Sequence, residues 1–102
     1  MPWYNYLAAF LSGAFLANAV PHFVHGISGN RFPTPFAKPP GRGLSSAPVN
    51  MLWSLFNLLV AFILLRAGHV IRGGHGSRIV FFLGFAALSI MMSVQFQKKQ
   101  AS

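Results

Sequence analysis

Three stretches of this chain, Leu7–Val20, Met51–Leu65 and Ile79–Val94, contain no charged side chain. Their interruptions are few and small: Ser12, Gly13 and Asn18 in the first, Ser54 and Asn57 in the second, Gly84, Ser89 and Ser93 in the third. The apolar residues are continuous rather than periodic, so they do not mark the one-sided stripe of a water-soluble helix. With their flanks the runs reach roughly 17–23 residues, enough at ~1.5 Å per residue to cross a hydrocarbon core about 30 Å thick. The pattern predicts an all-α integral membrane protein with three transmembrane helices in a single domain over residues 1–102.

Charge supports that class and narrows the chemistry. The chain has no Asp and no Glu against eight Lys and Arg, a formal charge of +8. Charged residues make up 8% of it, where a soluble domain draws about a quarter from that set. Without membrane carboxylates, carboxylate-coupled proton transport is excluded, as are carboxylate-rich Ca²⁺ sites. Without Cys there are no disulfides, thiolate ligands or Cys nucleophiles. Acid–base catalysis would have only four His to draw on. The chain therefore reads as non-enzymatic. Its cations divide between the two membrane faces, which argues against nucleic acid and for anionic lipid headgroups as partners.

The first helix is expected over about 2–24, with Pro2 in its first turn and Trp3, Tyr4 and Tyr6 as an interfacial anchor. Pro21 should kink it or end it near Val20. Ala17-Asn18-Ala19 has the look of a signal-peptidase site, but Met1–Tyr6 carries no Lys or Arg, so a retained helix is expected. A basic Pro/Gly-rich loop follows over 26–47, read as a strap that docks on lipid or a partner. Phe32 and Phe36 are placed to dip toward the membrane. Helix two is expected over 48–66 and helix three over 78–97, joined by the Gly-rich turn 67–77 as an antiparallel hairpin, with a short basic tail at 98–102.

Lipid-headgroup contacts fall to Arg31, Lys38, Arg42, Lys98 and Lys99 on one face and Arg66, Arg72 and Arg78 on the other. Five cations against three favour a C-terminus in the cytoplasm and an N-terminus outside, in a cell inner or plasma membrane.

Helical spacing collects Asn50, Ser54, Asn57 and Ala61 on one face of helix two, and Ala86, Ser89, Ser93 and Gln97 on one face of helix three. Ala9, Gly13 and Ala17 give helix one a small-xxx-small stripe. Small residues permit close approach and Asn or Ser supply interhelical hydrogen bonds. Gly13, Ala17, Asn50, Ser54, Asn57, Ser89 and Ser93 are accordingly read as helix-packing residues, within the subunit or between subunits. The expected function is assembly, as a homo-oligomer or as an accessory subunit of a larger membrane complex. One alternative makes the same stripes a polar path in an oligomeric channel or carrier for an anion or neutral solute. Another rests on Asn18, His22 and His25, which share a helix face and form a possible ligand or proton site. That face could contact haem or quinone. No metal site is expected, because His69 and His75 fall on the opposite side of the bilayer and nothing else completes a ligand set.

Overall fold

The computed structural model describes residues 2–40 and 43–101, with side chains described to Lys98. Arg42 and the side chain of Lys99 therefore lie outside the described residues. Three long helices dominate: α1 Trp3–Ile27, α2 Ala47–Ala67 and α3 His75–Ala101. Between α1 and α2 lies a two-stranded hairpin, β1 Phe32–Pro33 and β2 Leu44–Ser45, paired antiparallel with Phe32 opposite Ser45. All three helices are long and apolar enough to cross a membrane.

Burial is inverted relative to a soluble domain. The largest fully buried side chains are Asn50, Asn57, Thr34, Ser12, Ser54 and Ser77, all polar. Leu52, Phe62, Phe82 and Ile90 stay exposed. In water that arrangement would forfeit the main driving force for folding. In a bilayer the exposed side chains meet lipid tails, and polar groups must find partners inside.

The helix limits follow from local chemistry. Ser46 caps α2 by accepting from the Val49 amide at 3.4 Å, and Pro48 occupies the first turn. α1 runs through Pro21 and on to Ile27, beyond the expected end near Val20 or Val24. It stops where Gly29 takes a positive φ of 78°. There the Asn30 amide reaches the His25 carbonyl at 2.8 Å and the Gly29 amide reaches Gly26, the paired bonds of a Schellman cap. Pro21 removes one amide bond, but α1 is packed along two neighbours, and tertiary contact outweighs that loss.

The helix order departs from the expected hairpin. α1 packs along both α2 and α3, while α2 and α3 make no comparable contact with each other. The N-terminal helix is thus the middle one. Contacts such as Ser12 with Ala61 and His22 with Asn50 make α1 antiparallel to α2. Tyr6 beside Gly76 and Phe10 against Gly84 make it parallel to α3. The turn Gly68–Gly74 crosses over the first turns of α1. A Cβ on Gly68 would sit 2.6 Å from the Ala9 amide nitrogen, so only glycine passes there.

Candidate functional site

The buried residues of α2 are Asn50, Ser54, Asn57 and Ala61, and all four face α1. A ladder of hydrogen bonds joins the two helices. Ser12 Oγ donates to the Ala61 carbonyl at 2.6 Å. Asn18 Nδ2 donates to Asn57 Oδ1 at 3.0 Å, and Asn57 Nδ2 donates back along its own helix to the Trp53 carbonyl at 2.7 Å. Ser54 Oγ donates to the Ala19 carbonyl at 2.9 Å. His22 Nδ1 meets Asn50 Oδ1 at 2.7 Å. Each rung gives a polar group a partner inside the bundle, as burial away from water requires.

Asn50 is the hub of the ladder's last rung. Its Nδ2 donates to the carbonyls of Phe32 at 3.0 Å, Ser45 at 3.2 Å and Ser46 at 3.1 Å. Those three acceptors fix which end of the amide is nitrogen, so Oδ1 faces His22 and the proton of that bond lies on His22 Nδ1. One side chain thereby ties α1, α2 and both strands of the hairpin. The sequence placed Asn50 on a packing stripe; the Ser46 carbonyl is the local helix-cap acceptor, whereas the Phe32 carbonyl reaches Asn50 only once the loop has folded back.

The loop is a strap lying over this end of the bundle. Phe32 stacks on His25 with ring centroids 4.3 Å apart, meets His22 edge-on at 5.3 Å and reaches Phe96 of α3 at 4.9 Å. Phe36 stays exposed but sets its edge on Trp53 at 5.1 Å, and Trp53 stacks on Phe56. Thr34 is buried, with its hydroxyl 2.5 Å from that of Ser45. Phe32 and Trp53 organise this end, and sequence reasoning gave neither a site role. Their signal, aromatic residues flanking the polar stripe at the helix end, is shared with ordinary interfacial anchors.

Asn18, His22 and His25 lie on one side of α1 but do not act together. Asn18 bonds Asn57, His22 bonds Asn50, and His25 Nδ1 is buried beneath Phe32 with no hydrogen-bond partner among the described residues. The described residues contain no cluster of three His, Cys, Asp or Glu suited to a metal. His69 and His75 lie at the other end of the bundle, beside the first turns of α1.

On the α3 side the joint is made by glycine. A Cβ on Gly13 would collide with the Phe81 carbonyl, and one on Gly84 with the Phe10 carbonyl. The two backbones touch at this crossing, where Cα–H groups can face carbonyl oxygens. Ala17 lines a shallow recess of about 280 Å³ together with Pro21, Phe85, Ser89 and Ser93. Ser89 is half-buried there, while Ser93 and Gln97 are exposed. Gly84 had no role in the sequence reading, although a lone glycine within an apolar run is a signal for close approach.

Arg31, Lys38 and Lys98 are exposed at the strap end, and Arg66 and Arg72 at the turn end. Arg78 differs from the other cations. Its guanidinium donates to the Val70 carbonyl at 3.2 Å and the Ile71 carbonyl at 2.5 Å, bracing the turn. Against known proteins, no family model, no curated protein and no solved structure matches the chain.

Proposed function

We propose that this chain is a non-enzymatic integral membrane protein that works by assembly, as a homo-oligomer or as an accessory subunit of a larger membrane complex, and that α3 carries the contact. The observation behind this reading is the contrast in burial between the helices. α1 and α2 engage their polar side chains with each other, whereas α3 meets α1 by close backbone approach at Gly13 and Gly84 and leaves most of its apolar surface exposed. Ser89, Ser93 and the recess beside Pro21 are left for a further helix to fill.

The same contrast favours assembly over a polar path for solute, because Asn50, Ser54 and Asn57 are already bonded within the chain. Likewise Phe32 covers the His25 face that a haem or quinone would need. The lack of carboxylates and thiols supports a role without catalysis. We orient the strap end toward the cytoplasm, since Arg31, Lys38, Arg42, Lys98 and Lys99 outnumber the cations of the turn end.

Native mass after gentle detergent extraction tests the proposal. A multiple of 11.1 kDa, or a co-purifying membrane subunit, is expected, and Ser89→Trp with Ser93→Trp should dissociate it. A lone chain of that mass with no partner would overturn it.

A further inference from the structure

The turn between α2 and α3 encloses a second recess, of about 510 Å³, at the opposite end from the strap. Its rim carries Arg66, His69 and Arg72, and its wall is formed by Phe62, Leu65 and Ile71. We propose that this recess binds a single anionic phospholipid, with the phosphate on Arg66 and Arg72 beside His69 and an acyl chain along Phe62 and Leu65.

The first argument is charge. The chain contains no carboxylate side chain, so no Asp or Glu can neutralise these arginines from within. Neither guanidinium has a hydrogen-bond partner among the described residues. Arg78, by contrast, is fully engaged in bracing the turn. Two unpaired forks beside an open recess suit a phosphate, which guanidinium groups grip through paired N–H···O bonds.

The second argument concerns the carbonyls around the recess, which would repel an anion if left bare. Those of Leu65, Arg66, His69, Val70 and Ile71 are already hydrogen-bonded. The Val70 amide bonds the Leu65 carbonyl at 3.2 Å and the His69 amide bonds the Arg66 carbonyl at 3.1 Å, while Arg78 takes those of Val70 and Ile71. The cations are left to set the sign of the local potential.

The third is His69 itself. These amide bonds form a second Schellman cap, and His69 holds the left-handed position with φ 53°. The equivalent residue at the end of α1 is Gly29. A β-carbon in that conformation is strained, and non-glycine residues there concentrate at functional sites. The imidazole this places on the rim is one more donor toward the phosphate.

The occupant is a lipid rather than a free anion because the wall continues onto the bilayer-facing side of α2. Phe62 is exposed there, one turn from Arg66 toward the middle of the apolar span.

Native mass spectrometry of the full chain in neutral detergent, with phosphatidylglycerol or phosphatidylcholine added, tests the site. Phosphatidylglycerol should persist as a single adduct under conditions that strip phosphatidylcholine. Equal retention of the two would overturn the proposal without any variant being made. R66Q/R72Q should lower phosphatidylglycerol retention by at least about tenfold. R31Q/K38Q, at the other end, should leave it unchanged. Unaltered retention in the first variant, or an equal loss in the second, would also overturn it. Displacement of the lipid by an equal concentration of inorganic phosphate would assign the recess to a free anion instead and overturn the lipid reading.

Discussion

Toward α2, α1 presents Ser12, Asn18 and His22, and side chains bridge the gap; toward α3 it presents Gly13, and the backbones themselves touch. Both joints solve one problem. Lipid tails are as apolar as leucine, so greasy contact alone gives helices little reason to associate. The α2 joint gains from polar groups that have no good partner in lipid, and the α3 joint from dispersion and Cα–H contacts at short range. Hydrogen-bonded rungs can be removed one at a time. A glycine crossing is lost whole, because a single Cβ separates the helices along their length.

That difference ranks the effects of substitution. Gly84→Val should be the most damaging, at roughly 3 kcal/mol or more, since its side chain meets the Phe10 backbone rather than a movable group. Unfolding in graded SDS would measure the loss, and proteolysis should show α3 released while α1 and α2 stay paired. An intact α3 would mean that the two joints do not fail separately. Next comes Asn50→Leu, at about 1–3 kcal/mol, because it leaves a buried imidazole N–H without its partner and removes the side-chain bonds to the Phe32 and Ser45 carbonyls. New protease cuts between Phe32 and Pro40 should report the freed strap. A double-mutant cycle of Asn18→Leu and Asn57→Leu should return a coupling of about 0.6–1.7 kcal/mol. Zero coupling would reduce that rung to mere proximity. Ser12→Ala should cost least, roughly 0.6 kcal/mol, as it removes a donor whose acceptor keeps its helical bond. If Ser12→Ala proved as costly as Gly84→Val, the rungs would be cooperative and the ranking would fail.

The same contrast explains what could be read from sequence. The three spans were legible because uncharged apolar length has few other uses. The α2 face was legible because Asn50, Ser54 and Asn57 recur at helical spacing in a run that otherwise excludes polarity. The α3 face was legible in part. Ser89 and Ser93 line the recess beside Ala17 and Pro21 rather than forming a hydrogen-bonded ladder like that of α2. The residue that matters there, Gly84, presents no side chain at all. Helix order was hidden for a geometric reason. A short turn suggested adjacent helices, yet Gly68–Gly74 is long enough, at ~3.3 Å per residue, to pass a helix about 10 Å across. The strap's attachment was hidden too, since the Phe32 carbonyl, 18 residues before Asn50, meets it only in the folded loop.

The central place of α1 also bears on how the chain can be made. Helices leave the ribosome in order, and here the earliest of these three is the one both later helices need. α2 arrives with Asn50, Ser54 and Asn57 after His22, Ala19 and Asn18 of α1 have been made. α3 arrives last and closes on the opposite flank through Gly13 and Gly84. The polar face of α1, with Ser12, Asn18 and His22, need wait only for the next helix in the chain and not for the one after it.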